Sequence, residues 1–245
     1  MPELAASSFN RVSVTLADGT SFAGVRASTS GTAKASITTS FNAAVQIIKD
    51  AGRGAGTFRV RRGFLAFDTS GITGTVTAAT LSLTVSHTGA DLPKMSVVRG
   101  TANGSSTSHF DSITGFNNSA TMAGNVTDLV GDSTSNVTNF SGVSTNTTVT
   151  MTLNSTARGL ITSEDDLYIV LVSYEYDYLL VEPSGNGFFD VGLYGPSTGT
   201  TSFRPHIDYV EVVSGYSHDV NGIDADDIGE INTIASANVE LFNGV

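Results

Sequence analysis

Residues 174–178 read Tyr-Glu-Tyr-Asp-Tyr. On a β-strand this alternation places Tyr174, Tyr176 and Tyr178 on one face and the carboxylates of Glu175 and Asp177 on the other. Sugar C–H faces stack on aromatic rings, so such a row is a candidate platform for a host-surface glycan. Packing within a core or against a second subunit is the competing reading, and the preferred one. Two acidic clusters, Glu164-Asp165-Asp166 and Asp224-Ala225-Asp226-Asp227, offer hard oxygen ligands. Neither has the spacing of an EF-hand loop, and we read both as solvated loops. The four histidines, His87, His109, His206 and His218, are scattered without metal-ligand spacing. No Gly-x-Ser-x-Gly elbow, phosphate-binding loop or dinucleotide fingerprint occurs. The chain has no cysteine, which removes disulfides, thiolate metal sites and thiol nucleophiles. The expectation is a non-enzymatic chain with no catalytic residue, no metal and no cofactor.

The elements that would carry these residues are strands. Candidates lie at 41–48, 58–67, 76–86, 94–99, 147–153, 167–175, 187–194 and 204–213, separated by Gly, Ser, Thr and Asn clusters. Leu81, Leu83 and Val85 alternate with Ser82, Thr84 and Ser86, the pattern of a strand with one buried face. Leu167–Val172 is continuously apolar, as for a strand covered on both sides. The one helix expected is a turn or two at Ser155–Thr162. With no amphipathic helices between strands, the fold class is all-β, a jelly-roll-like antiparallel sandwich over residues 37–213. Residues 1–36 are expected as an N-terminal arm. In it Val12, Val14 and Leu16, the turn Asp18-Gly19, and then Phe22 and Val25 suggest a hairpin, followed by a flexible linker at 28–36.

Residues 214–245 contain a repeat of period eleven, which superposes Val220, Ile231 and Phe242, then Asn221, Asn232 and Asn243, then Ile223, Ile234 and Val245. Short hooks of turn and strand compete with a helical supercoil, and the Asn-Gly dipeptides favour the hooks. Either form is too small to bury Ile228, Ile231, Ile234, Val239 and Phe242 alone, so the segment is expected to be an assembly tail.

Charge is polarised along the chain. Residues 1–62 carry a net +5 and residues 163–245 a net −14, within a total of −11. An acidic chain is a poor ligand for nucleic acid or an anionic membrane. No segment resembles a signal peptide or reaches the ~18 apolar residues of a membrane span. Neither nucleic acid nor membrane is an expected partner. The polarity serves solubility, or it lets the basic third of one copy meet the acidic third of the next.

The stretch 61–85, with Arg62, Leu65, Phe67 and Asp68, then Ser70 and Ile72, then Ala79, Leu81 and Leu83, resembles carbohydrate-binding-like jelly-roll modules. Arg204-Pro205-His206-Ile207-Asp208-Tyr209 is similar to the closing strand of that family, and residues 150–161 to its helix-bearing segment. The residues Asn232 to Val245 resemble the Asn-Gly-Val/Ile repeats of marine bacteriophage structural proteins. The resemblance implies a virion component assembled in the host bacterial cytoplasm, a homo-oligomer and most simply a trimer. A capsid decoration protein contacting the major capsid protein is the first expectation. A fibre or tail accessory protein, or a glycan-binding adhesin module, is the alternative.

Overall fold

Strands with one apolar face must bury it against another layer, and here the largest sheet buries both faces. The computed structural model describes residues 1–16, 21–34, 44–50, 57–88, 94–117, 120–131, 137–138, 140, 143–212, 230–231 and 234–235. In chain order the elements are β1 (Glu3–Ala5), β2 (Ser8–Leu16), α1 (Phe22–Arg26), β3 (Thr32–Lys34), β4 (Val45–Asp50), β5 (Thr57–Asp68), β6 (Thr75–Thr88) and β7 (Met95–Arg99). There follow β8 (Val137–Thr138), β9 (Thr148–Thr152), α2 (Ser155–Ser163), β10 (Asp166–Ser173), β11 (Gly187–Leu193), β12 (His206–Val212), β13 (Glu230–Ile231) and β14 (Ile234–Ala235). All strand pairings are antiparallel. The fold is an all-β antiparallel sandwich, and each of the eight expected strands is present. No described helix is long and apolar enough to cross a membrane.

β5 organises the large sheet. One edge pairs with β2 from Phe58 to Ala66. The other edge pairs with β4 up to Arg61 and with β10 from Gly63 onward. The sheet therefore forks at Arg62. One branch runs β10–β7–β8, and the other runs β4–β11–β6. β6 is long enough to serve two sheets. Its last residues pair with β11, while Thr75–Thr84 pair with β12 and β9 in the second sheet. β1 adds to the far side of β12.

The two sheets enclose one core, in which Phe9, Leu65, Phe67, Leu81, Leu83, Val85, Ile169 and Leu171 are all fully buried. A second core lies on the reverse face of the large sheet. There Val12, Val60, Phe64, Val170 and Val172 pack under α1 and the segment containing Phe110, Ile113 and Met122. Strand β10 alternates between the cores, with Leu167, Ile169 and Leu171 in one and Val170 and Val172 in the other. Its unbroken apolar run has that cause.

The expected N-terminal hairpin is not formed. Phe22–Arg26 is helical, because the Ser21 hydroxyl accepts the Gly24 amide at 3.1 Å and caps the turn. Phe22 and Val25, three apart, then share one helix face and enter the second core. The segment expected as an arm instead places β2 in the large sheet, and β3, within the expected linker, pairs with β2.

The expected helix is α2. Asn154 caps it, its Oδ1 accepting the Ala157 amide at 2.9 Å, while its Nδ2 donates to the carbonyls of Asp128 at 2.8 Å and Gly131 at 3.1 Å. This seats Ala157 and Ile161 in the first core. Asn154→Ala removes the cap and leaves two carbonyls without their donor. The expected cost is about 2 kcal/mol. In a scanning calorimeter that appears as a melting temperature lower by about 4–8 °C.

Candidate functional site

The Tyr-Glu-Tyr-Asp-Tyr run is not a strand. β10 ends at Ser173, and Tyr174–Tyr178 form a single π-helical turn closed by the Leu179 amide on the Tyr174 carbonyl at 2.9 Å. No row of rings results. Tyr174 stacks on Tyr178 with centroids 5.5 Å apart, Tyr176 packs against Phe189 at 4.8 Å, and the buried Tyr178 hydroxyl donates to Asp128 at 2.9 Å. All three tyrosines join the second core or its margin.

The π turn points Asp177 inward, where it is fully buried with Arg26 and Arg62. Arg62 holds it with two parallel bonds, Nε to Oδ2 at 2.7 Å and Nη2 to Oδ1 at 2.8 Å, and also donates to the Phe110 carbonyl at 2.7 Å. Arg26 Nε donates to the Asp177 carbonyl at 2.6 Å and lies 3.3 Å from Oδ1. The guanidinium of Arg62 lies over the rings of Phe110 at 4.0 Å and Phe116 at 4.7 Å, and that of Arg26 over Phe116 at 5.0 Å. Burial lowers the Arg26 pKa, against the opposing pull of Asp177. Two cations thus share one anion at the fork of the sheet, with a function in fixing the fold. Arg62 was singled out with Asp68 in sequence, but its partner is Asp177. Asp68 caps its own turn, accepting from the Ser70 amide at 3.1 Å and hydroxyl at 2.6 Å.

A different arrangement occupies the half of the large sheet that lies beyond the first core. Cross-strand register places Phe188, Ile48, Arg59 and Thr15 in one row and Asp190, Gln46, Arg61 and Ser13 in the next. A third row holds Gly63, Arg11 and Lys34. Counting by twos along β2 and β5, these residues share the face that carries Phe9 and Leu65 into the first core. Past that core the same face turns from apolar to basic. Arg59 Nε donates to the Thr15 hydroxyl at 2.8 Å. Arg61 Nε, buried, has no hydrogen-bond partner, nor has Gln46 Oε1, although Gln46 Nε2 reaches Asp190 at 2.8 Å. Burial and the neighbouring Arg11 and Arg59 push the Arg61 pKa down to about 10, and burial with Arg59 lowers that of Arg11. Half-buried cations crowded together on adjacent strands favour an anionic partner that relieves the repulsion. The sequence held the signal, since Arg59 and Arg61 are two apart on an expected strand, but the partner strand β2 was assigned to a hairpin.

The remaining candidates separate cleanly. Glu164 pairs with Arg99, Asp166 accepts from the Tyr168 hydroxyl at 3.2 Å, and the Asp165 carbonyl accepts the Thr69 amide, so the first acidic cluster is tied into the sandwich edge. Residues 224–227, with Ile228, Val239 and Phe242, lie outside the described residues. In the tail Ile231 pairs with Ile234 and Glu230 with Ala235 in a two-residue antiparallel ladder. His109 closes a local capping box with Ser106, and His87 lies 4.0 Å from Asp190. Among the described histidines His206 meets two carboxylates, those of Glu3 and Asp208, and His218 lies outside the described residues.

No known protein family matches the chain, and no curated protein matches it significantly.

Proposed function

We propose that this chain is a structural protein of a bacteriophage particle, most simply a capsid decoration protein, which works by docking rather than by catalysis. The observation that carries the reading is the basic face of Arg11, Arg59, Arg61 and Lys34, set on a rigid sheet beside a chain whose C-terminal third is strongly acidic. A cationic face and an anionic segment on the same polypeptide fit a head-to-tail contact between copies, or contact with an acidic neighbour in the shell. The resemblance of residues 41–213 to jelly-roll modules and of the tail to phage repeats supports the same reading. The glycan-binding alternative rested on the fold resemblance and on a row of tyrosines along one strand face, and Tyr174, Tyr176 and Tyr178 do not form that row.

Arg59→Glu with Arg61→Glu is expected to leave the melting temperature within a few degrees of the parent, because neither side chain belongs to the two apolar cores. Self-association, followed by light scattering, is expected to weaken at least tenfold, and association of the parent to weaken with added salt. Truncation at Gly215 is expected to preserve the fold and abolish incorporation into purified particles, read by mass spectrometry. Normal incorporation of both variants sinks the docking account.

A further inference from the structure

We infer that Glu3, His206 and Asp208 form a binding site for one divalent first-row transition metal ion, which clasps strand β1 to strand β12. Glu3 stands opposite Asp208 in the β1–β12 ladder, and Ala5 opposite His206. His206 and Asp208, two apart on β12, project from the same face, and Glu3 joins them from across the ladder. One ligand atom from each of the three residues lies within 4.8 Å of the others, and His206 Nε2 is 3.6 Å from Asp208 Oδ2. That spacing is slightly wider than a bound ion requires, and rotamer adjustment of the exposed Glu3 closes it.

Two further observations point to a cation. The first is the orientation of the imidazole. His206 Nδ1 lies 2.7 Å from the Arg204 carbonyl, which can only accept, so Nδ1 carries a proton. In the neutral ring Nε2 then presents its lone pair to the carboxylates, and three electron-rich groups converge. A backbone carbonyl fixing the distal ring nitrogen is also the arrangement found behind metal-ligating histidines. The second is the charge balance. Two carboxylates on directly paired strand positions repel one another, and among the described residues no Lys or Arg forms an ion pair with either. A bound metal ion relieves the conflict with both negative charges retained.

The donor set selects the ion. An imidazole with two carboxylates suits zinc, nickel or cobalt better than calcium or magnesium, which take oxygen ligands alone. Three protein ligands leave a position for water or for a donor from another molecule.

The test uses the full chain, stripped with chelator and titrated with zinc chloride in a calorimeter. One zinc per chain is expected, with a melting temperature that rises on saturation, and cobalt is expected to give a visible ligand-field band. His206→Ala and Asp208→Asn are each expected to weaken binding at least tenfold. Glu3→Gln, which removes the repulsion without disturbing the core, is expected to raise the metal-free melting temperature and to shrink the increment that zinc adds. No stoichiometric zinc uptake by the parent overturns the assignment. So does uptake that His206→Ala and Asp208→Asn leave unchanged, since the ion would then sit elsewhere, for example at His87 and Asp190.

Discussion

Asp177→Asn is expected to prevent the chain from accumulating as a folded protein. The carboxylate is fully buried and is shared by Arg26 and Arg62, which are buried with it. An amide of the same shape keeps one carbonyl oxygen for Arg62 but turns an N–H₂ group toward a second N–H donor. Two guanidinium charges are then left in the interior without a counter-charge. Removing one partner of a buried pair costs about 3–5 kcal/mol, and here two cations lose theirs. Against a total stability of ~5–15 kcal/mol, that is enough to unfold most of the population. The rings of Phe110 and Phe116 soften the loss but cannot replace an anion. Soluble yield and urea unfolding measure the effect, and a midpoint within experimental error of the parent would show that the charges find another route to neutrality. A triple variant, Arg26→Met, Arg62→Met and Asp177→Leu, tests the reason. With all three charges gone, folding is expected to return, because exchange of a buried charge cluster for apolar side chains is often neutral or stabilising.

Phe67→Asp and Leu83→Asp are expected to be as damaging by a different route. Both side chains are fully buried in the core between the two sheets, Phe67 from β5 and Leu83 from β6. Each substitution forfeits ~1.5–3 kcal/mol of apolar burial and adds the several kcal/mol of desolvating an unpaired carboxylate. Circular dichroism of the purified variants is the check. A soluble variant with the parental melting temperature would mean that these two side chains do not lie in the core between the sheets.

The features that were legible in the sequence share a cause: they are local. Leu81, Leu83 and Val85 alternate because one face is buried, Leu167–Val172 does not alternate because both are, and Asn154 stands before the helix it caps. The Tyr-Glu-Tyr-Asp-Tyr run misled because amphipathic rings satisfy a period of two as well as a tight turn. What decides for the turn is the demand of Arg26 and Arg62 for Asp177, and these lie 151 and 115 residues away in the chain. Phe22 and Val25 lie on one helix face behind a Ser21 cap, whereas the Asp18-Gly19 dipeptide before them is equally a hairpin signal. His206 and Asp208 were placed on an expected strand with the spacing of one face. The third member, Glu3, comes from strand β1, so only the pairing of β1 with β12 brings the group together.

That pairing also sets a clock on synthesis. β1 leaves the ribosome some two hundred residues before β12, its partner strand among the described residues, an interval of about 10–40 s at ~5–20 residues per second. Through that interval the nascent chain can complete β2 on β5 and β10 on β5, while the edge of β6 that awaits β12 stays open. An open edge is a template for strands of neighbouring nascent chains, and polysomes bring such neighbours close. Slow closure therefore leaves that edge of β6 exposed to pairing between chains until β12 has been made.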